Sequence, residues 1–200
     1  LANQPLPAGP RTVIMTNAGG PAALASDALA ANGMEMANLQ PETQSALRKH
    51  LNPAAQVSNP IDMLGAANPA EFSLAVNLAL EDSQVDAVIP ILVPQALVNT
   101  AEVAASICEA AHKSTKPVLT CFMGDWSVGE ARQVLHTHGI PMYISPETAG
   151  RVLGAMRRYG AWRDRPALEF CRPAGLNPEA VQKLLSTAES ALGESLTRPI

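Results

Sequence analysis

The sequence predicts an α/β fold in which helices cover both faces of a parallel sheet. Short, β-branched apolar runs alternate with Ala- and Leu-rich helical segments along most of the 200 residues. The composition agrees, because 47% of the residues are hydrophobic and only 16% are charged, which suits helices that pack on a sheet. Capping residues followed by proline mark several helix starts. We therefore expect one main α/β domain with a sizeable core.

Five short strands are predicted, at 11–17, 34–37, 85–93, 117–122 and 141–144. The third run is the most hydrophobic, which is typical of a central buried strand, while Pro90 within it predicts a local irregularity in the ladder. Strands that alternate with helices favour right-handed crossovers and a parallel sheet. We predict a flavodoxin-like, three-layer α/β/α arrangement with strand order 2-1-3-4-5.

Seven helices are predicted between and after these strands. Their ranges are 21–31, 41–51, 69–80, 100–113, 127–138, 146–159 and 177–192. Three of them begin with a capping side chain before proline at the first helical position, namely Asn68-Pro69, Ser145-Pro146 and Asn177-Pro178. These signals fix helix starts and need no functional explanation.

Changes in composition divide the chain into three parts. Residues 1–10 carry three prolines and are predicted to be a linker, which implies that the chain belongs to a longer protein. Residues 11–160 form the predicted domain. Residues 161–200 are predicted to be a second linker and a C-terminal helical extension that leads towards a following domain.

Charge and hydropathy exclude several classes of function. The net charge is −4 and the largest basic cluster is Arg157-Arg158, so a nucleic-acid partner is not expected. Neither a secretion signal nor an apolar run of about 20 residues is present, so we expect no membrane span and a cytoplasmic protein.

The three cysteines are too widely spaced for a metal-ligand pair or a disulfide framework. Cys108 and Cys121 lie in apolar runs and are predicted to be core residues.

No set of side chains completes a catalytic site, so no catalytic residue and no metal site are predicted in this chain. The four histidines, which are His50, His112, His136 and His138, fall near the C-terminal ends of predicted helices. The helix dipole favours a cation there, which explains them without a catalytic role. Asp62 has two open interpretations, a functional carboxylate or one that bonds to its own loop.

The strongest local signal for binding is the turn formed by Asn17, Ala18, Gly19, Gly20 and Pro21. A strand ends there and a helix begins, so the first helical N–H groups are free and the positive end of the helix dipole lies behind them. Two glycines permit tight backbone geometry and allow an anion to approach the backbone. The residues alone leave two alternatives open, an anion site or a simple strand-to-helix turn.

Two further loops are expected at the same edge of the sheet, since ligands of open parallel sheets bind beyond the carboxyl ends of the strands. One follows the central strand and contains Pro94, Gln95 and Ala96. The side-chain amides of Asn17 and Gln95 are candidate donors to a phosphate or carboxylate. The other loop contains Trp126, which either walls the site or packs at an interface.

Several blocks, in order, resemble the succinyl-CoA synthetase superfamily, specifically the acyl-CoA synthetases that form ADP. The resemblance covers about Pro10 to Tyr159. Its blocks are VIMTNAGGP at 13–21, SDAL at 26–29, NPIDMLG at 59–65, VDAV at 85–88, VPQA at 93–96, KPV at 116–118 and FMG at 122–124. A true flavodoxin or a receiver domain fits less well, because the expected Ser/Thr-rich phosphate loop or acidic cluster is absent.

The resemblance implies a domain of an enzyme that converts ATP, a carboxylic acid and CoA into ADP, phosphate and acyl-CoA. It implies that residues 17–21 hold the phosphate of a phosphohistidine contributed by a preceding domain, and that residues 94–96 line the substrate pocket. This chain alone is expected to bind no cofactor and to be inactive. CoA, ATP and Mg²⁺ are implied for the full-length enzyme.

The implied partners are a CoA-binding and ligase part that carries the phosphohistidine, and an ATP-grasp domain. They belong to the same chain or to another subunit, and the full-length protein is expected to be an oligomer. An alternative reading is a regulatory domain that senses CoA or nucleotide in a protein lysine acetyltransferase of similar architecture.

Overall fold

A parallel sheet with helices on both faces forms the first of two units in the computed structural model. The model describes residues 3–96, 98–112, 114–166 and 177–192. The first unit spans Leu1–Asp164 and the second Arg165–Ile200. The strands of the described sheet are β1 (Arg11–Thr16), β2 (Glu35–Met36), β3 (Ile61–Asp62), β4 (Ala87–Leu92), β5 (Thr120–Phe122) and β6 (Met142–Tyr143).

The sheet order is β2-β1-β4-β5-β6, and all of these pairs are parallel. These are the five strands predicted from the sequence, in the predicted order, so the predicted fold class is confirmed. The structure adds β3, which pairs with β1 on the same side as β2. Its segment, NPID at 59–62, contains two polar residues and a proline, so no apolar run marks it as a strand.

The Asn59 side chain fills the gap between β2 and β3 along the edge of β1. Its Oδ1 accepts a hydrogen bond from the Ile14 N–H at 3.0 Å, and its Nδ2 donates to the carbonyls of Thr12 and Ala37 at 2.8 and 3.0 Å. One side-chain amide thus replaces the backbone groups of a strand. It satisfies a part of β1 that β2 and β3 leave uncovered.

Pro90 interrupts one ladder of β4, as its missing N–H predicts. Towards β1 the register is continuous from Thr12↔Ala87 to Thr16↔Ile91. Towards β5 the pairing consists of an isolated bridge at Val88 and then resumes at Ile91. The predicted irregularity is therefore confined to the β5 side.

Six helices pack on the sheet, and their buried side chains form two apolar clusters. The helices are α1 (Gly19–Ala31), α2 (Pro41–His50), α3 (Pro69–Glu81), α4 (Thr100–Ala111), α5 (Gly129–Thr137) and α6 (Pro146–Arg163). Helices α1 and α6 cover one face, whereas α2 to α5 contribute to the cluster on the other. Alternate residues of β1 divide between them, with Val13 in one cluster and Ile14 in the other.

Helix α6 packs closely on α1 because glycines replace side chains at the contact. A Cβ on Gly154 would lie 2.6 Å from the Asn32 Cβ, and one on Gly150 would lie 3.0 Å from the Ala28 Cβ. The two helices therefore approach more closely than side chains at these positions would allow. Helix α6 also continues to Arg163, beyond its predicted end at residue 159.

The N-terminal segment 3–10 packs on the rest of the first unit. The Gln4 side chain donates to the Gly139 carbonyl at 3.1 Å and accepts from the Val118 N–H at 2.9 Å, and Pro7 is buried. Its role as a linker in a longer protein stays a prediction. Cys171, which the sequence analysis also considered, lies outside the described residues.

The second unit contributes helix α7 (Pro178–Leu192). The Asn177 side chain accepts hydrogen bonds from the N–H groups of Glu179 and Ala180 at 3.1 and 3.2 Å, which is the predicted cap. Among the described helices, none combines the length and apolar character that a membrane crossing requires.

Candidate functional site

Helix α1 begins at the carboxyl edge of the sheet without a side-chain cap. Ala18 is its N-cap residue, and no side chain accepts from its first N–H groups. By contrast, Asn68, Asn99 and Ser145 cap the starts of α3, α4 and α6. Gly19 and Gly20 are exposed, and the first turn holds no acidic residue. The first N–H groups of this helix, at its positive end beyond β1, are therefore not bonded by any side chain.

The turn that leads into α1 is held by Thr16. The Thr16 hydroxyl donates to the Ala18 carbonyl and accepts from the Ala18 N–H, both at 3.0 Å. Neither Gly19 nor Gly20 has a positive φ, so the turn does not require a left-handed backbone conformation at either position. A Cβ on Gly20 would meet nothing within 4 Å. The missing side chain of Gly20 leaves the helix end open instead.

Asn17 connects this turn to the loop after β4. Its side chain is 3% exposed. Its Nδ2 donates to the Val93 carbonyl and its Oδ1 accepts from the Val93 N–H, both at 2.8 Å. In this structure Asn17 positions two loops relative to each other, and direct donation to a ligand stays a prediction.

Asp62, the last residue of β3, brings a carboxylate close to the start of α1. Its Oδ1 accepts from the Leu64 N–H at 3.0 Å. Its Oδ2 lies 3.3 Å from the position that a Cβ on Gly19 would occupy. The side chain bonds to its own loop, as one of the two interpretations expects, and a functional role for the carboxylate stays a prediction.

The loop containing Pro94, Gln95 and Ala96 borders a cavity of about 440 Å³. The other side of the cavity is the start of α3 and the residues before it, from Gly65 to Pro69. The Gln95 Cδ lies 4.0 Å from the position of a Cβ on Gly65, so the loops after β3 and β4 meet here. The lining is mostly apolar apart from Asn68 and Gln95.

Trp126 lies at this edge of the sheet but lines no part of that cavity. It is 97% exposed in a short 3₁₀ turn after β5. The turn is tied down by the Thr100 hydroxyl, which donates to the Ser127 carbonyl at 2.7 Å. A fully exposed ring in a well-held turn fits the interface alternative better than a wall of the site.

The remaining candidate side chains lie elsewhere. Burial raises the pKa of the Cys108 thiol to about 11 and that of Cys121 to about 12, and both residues belong to the core, as predicted. The four histidines lie at or next to helix C-termini, also as predicted. In the described part of the chain, no three His, Cys, Asp or Glu side chains form a group that could hold a metal ion.

A second cavity of about 470 Å³ lies at the opposite, amino edge of the sheet. Glu81, Glu109 and Lys116 are among its lining residues, and the Lys116 ammonium donates to the Asp82 carbonyl at 2.7 Å. It is the larger cavity, but none of the converging loops reaches it. The carboxyl edge is therefore the better candidate for a functional site.

Comparison with known proteins identifies the family of this chain. Residues 12–165 match the Ligase-CoA domain family. The chain is 39% identical, over 148 residues, to the α subunit of ADP-forming acetate–CoA ligase II from Pyrococcus furiosus, a match that covers 72% of this chain and 32% of that subunit. It is 32% identical over 184 residues to ADP-forming acetate–CoA ligase I from Archaeoglobus fulgidus, covering 90% of this chain and 26% of that protein.

Solved structures share the fold at similar levels of identity. A protein from Pyrococcus horikoshii OT3 superposes with a TM-score of 0.77 and 37% identity over 80% of this chain and 38% of its own. The dinucleotide-forming acetyl-coenzyme A synthetase 1 of Ca. Korarchaeum cryptofilum, in complex with phosphate and ADP, gives 0.72 and 31% over 80% and 35%. The chain therefore spans about a third of the length of these relatives.

The resemblance inferred from the sequence blocks is confirmed by the family match and by these relatives. The matched residues include β1 with the start of α1, the Asp62 loop and the loop at 94–96. The chain belongs to the Ligase-CoA domain family of the ADP-forming acyl-CoA synthetases.

Proposed function

We propose that this chain is one domain of an ADP-forming acyl-CoA synthetase, in which it holds the phosphate of a phosphohistidine contributed by another domain. The overall reaction is ATP + carboxylic acid + CoA = ADP + phosphate + acyl-CoA. The observation that carries the proposal is the uncapped start of α1, at the edge where three loops converge. Family membership supplies the reaction.

The start of α1 has the electrostatics that a phosphoryl group requires. Free backbone N–H groups and the helix dipole stabilise an anion without a charged side chain. Because the amides are fixed by the helix, they need no reorganisation as charge moves during phosphoryl transfer. In this proposal Gly19 and Gly20 offer backbone N–H groups, while Ala18 and Pro21 fix where the helix begins.

The cavity beside Gln95 is proposed to be part of the substrate pocket. Its mostly apolar lining suits a short acyl chain, and the Gln95 amide is a donor for a carboxylate or acyl phosphate. The Asn17 contact to Val93 supports this assignment, because it fixes the loop at 94–96 relative to the start of α1.

The other components of the reaction are proposed to come from outside this chain. The phosphohistidine, the CoA site and the ATP-grasp site with its Mg²⁺ belong to the remaining parts of the full-length protein, which is proposed to be an oligomer. Relatives that are about three to four times as long as the matched region have room for such parts. The isolated 200 residues are expected to form no acyl-CoA.

The test compares Gly20 with a matched glycine. Gly129 also lies in the first turn of a helix, and a Cβ would meet nothing at either position. Phosphate is titrated into the wild-type chain and into Gly20→Val and Gly129→Val, and backbone amide shifts are followed by NMR. We expect the largest wild-type shifts at 19–22, loss of binding in Gly20→Val, and normal binding in Gly129→Val. Largest shifts elsewhere, such as at Arg157 and Arg158, would contradict the proposal.

The full-length enzyme provides the second half of the test. Loss of one preorganised donor to a charged group commonly costs about 3 kcal/mol, which is roughly a hundredfold in rate. Gly20→Val keeps its backbone N–H, but its side chain occupies the open space at the helix end and keeps the phosphate from the N–H groups. Acyl-CoA formation at saturating substrates should therefore fall by about that factor. Near-normal rates in a folded variant would favour the regulatory alternative.

A further inference from the structure

The cavity beside Gln95 adjoins the start of α1, where the phosphate is proposed to bind. Asp62 connects the two places, because its Oδ2 lies 3.3 Å from the Cβ position of Gly19 and its Oδ1 accepts from the Leu64 N–H at 3.0 Å. The next residue, Gly65, lines the cavity. An acyl phosphate whose phosphate lies at the start of α1 can therefore extend its acyl tail into this cavity.

Both loops that border the cavity are held by hydrogen bonds within the chain. On one side the Ala67 N–H donates to the Leu64 carbonyl at 3.1 Å. On the other side the Val98 N–H donates to the Gln95 carbonyl at 3.0 Å. Leu64 has a φ of 69°, a left-handed conformation that leucine rarely adopts and that is concentrated near functional sites. The cavity is thus formed before a ligand binds, as is usual for small-molecule sites.

Gly65 faces Gln95 across the cavity. Apart from its neighbours in the chain, the only described heavy atom within 4 Å of a Cβ on Gly65 would be the Gln95 Cδ, at 4.0 Å. Gly65 is exposed and its φ is not positive. Neither the backbone nor the packing therefore requires a glycine here, and a side chain would occupy space in the cavity without displacing another residue.

The lining determines which kind of group the cavity accepts. None of the described residues that line it is charged, and its polar side chains are the amides of Gln95 and of Asn68, which caps α3. A charged tail would lose its water here without gaining a counter-ion, so an apolar tail is favoured. The volume is about 440 Å³, whereas a cavity of about 150 Å³ is enough for benzene. The cavity therefore has room for a branched aliphatic tail, which the methyl group of acetate does not fill.

We propose that Gly65 is a specificity-determining residue, which admits carboxylic acids with a branched apolar tail by leaving the space between itself and Gln95 free. The tail packs between the two loops, while the carboxyl end faces the start of α1. A larger residue at position 65 would fill the space that the tail needs and would leave room only for a small acid such as acetate. This inference rests on the proposed function, because it requires the cavity to be the acyl pocket.

The experiment compares acetate and 3-methylbutanoate as substrates of the full-length enzyme at saturating ATP and CoA. The variants Gly65→Ala and Gly65→Val narrow the cavity in two steps. Gly129→Val is the matched control, because a Cβ there meets no other atom within 4 Å, while Gly129 lies in α5 and is not among the residues described as lining the cavity. Melting curves check that each variant is folded, and Gly65→Ala tests the inference if Gly65→Val is not.

We expect the wild-type enzyme to have a higher kcat/KM for 3-methylbutanoate than for acetate. The ratio of the two values should fall about tenfold or more in Gly65→Val, because the room for a single methylene is commonly worth that factor. It should fall less in Gly65→Ala and stay unchanged in Gly129→Val.

A wild-type preference for acetate, or an unchanged ratio in the folded Gly65 variants, would overturn the inference and leave the proposed function standing. Failure of the wild-type enzyme to use either acid would also overturn the inference. The proposed function is decided separately, by the phosphate titration of the wild-type chain and of Gly20→Val.

Discussion

The Asn17 side chain and the Val93 backbone form a two-way hydrogen bond across the carboxyl edge of the sheet. Both contacts measure 2.8 Å, and the residues lie 76 positions apart in the chain. Asn17 follows β1 and Val93 follows β4, the two strands that pair at the centre of the sheet. The distance between the start of α1 and the loop at 94–96 is therefore set by one buried amide.

Replacing Asn17 should disturb the second loop as well as the first. Asn17→Ala leaves the Val93 N–H and carbonyl without their partner, at a cost of about 2 kcal/mol in the free energy of unfolding. Asn17→Asp loses the donor and sets a carboxylate against the Val93 carbonyl, so it should cost more. Amide shifts at 93–96, measured with denaturant unfolding, check both expectations. Shifts confined to 16–20 would show that Asn17 does not couple the loops.

In the full-length enzyme Asn17→Ala should alter both kcat and the KM for the carboxylic acid. We expect Asn17→Ala to lower kcat for acyl-CoA formation and to raise KM for the carboxylic acid, because it displaces the phosphate site and the substrate loop together. A loss of stability alone would lower the amount of active enzyme without changing KM. An unchanged KM in a folded variant would thus argue against the positioning role.

Acid should destabilise the domain through Asp86. The Arg11 side chain donates to both Asp86 oxygens at 2.8 and 2.9 Å, and this contact lowers the pKa of Asp86 from its ordinary value near 3.8. The stabilisation is therefore complete above about pH 4 and is lost as the pH falls through the lower pKa of the folded state. Asp86→Asn should lower Tm by several degrees at pH 7 and flatten the pH dependence of Tm below pH 4.

Asp164 is the control for this prediction. It also pairs with an arginine, Arg163, at 2.8 Å, but its side chain is 65% exposed whereas that of Asp86 is 6% exposed. Exposed pairs contribute little to stability, so Asp164→Asn should leave Tm nearly unchanged. Equal effects of the two substitutions would mean that burial of Asp86 is unimportant.

The two core cysteines should resist modification in the folded protein. Because burial raises their pKa values to about 11 and about 12, almost no thiolate is present at pH 8, and the thiolate is the reactive form. In a Cys171→Ser background, a chromogenic disulfide reagent should label neither Cys108 nor Cys121 within minutes. Addition of denaturant should expose two thiols. Rapid labelling without denaturant would show that the core opens at this pH.

The contact between α1 and α6 should not tolerate a methyl group at Gly154. A Cβ there would lie 2.6 Å from the Asn32 Cβ and 2.7 Å from the Asn32 carbonyl oxygen, so Gly154→Ala should cost about 1–3 kcal/mol. Gly129→Ala, also in a helix but with open space around it, should be neutral or stabilising by up to about 1 kcal/mol. Urea unfolding of both variants measures the difference, and equal stabilities would contradict the close packing.

The fold was predicted from patterns among residues that are close together in the sequence. Helix starts at Asn68, Ser145 and Asn177 were predicted because a cap and the residues it bonds to are neighbours in the chain. The strand order followed from the alternation of elements, which restricts how parallel strands connect. The missing strand, β3, lies in the NPID segment, whose polar residues and proline carry no apolar strand pattern.

The site was predicted less completely, because its contacts join distant parts of the chain. The sequence identified the turn at 17–21 and the loop at 94–96, but it could not show that the Asn17 amide bonds to Val93. It likewise left Asp62 undecided, since its distance from Gly19 depends on how β3 pairs with β1. The NPID block at 59–62 was the available signal, and it contains both Asn59 and Asp62.

The shared edge of β1 also affects how this part of the chain can change during evolution. The chain leaves the edge after β2, forms α2 and returns to the same strand through Asn59 and β3. Both ends of the connection between β2 and β3 are hydrogen-bonded to β1. Insertions or deletions in its exposed loop at 52–54 therefore need not move Asp62. Length variation among homologues should therefore be concentrated there, while the spacing from Asn59 to Asp62 stays constant.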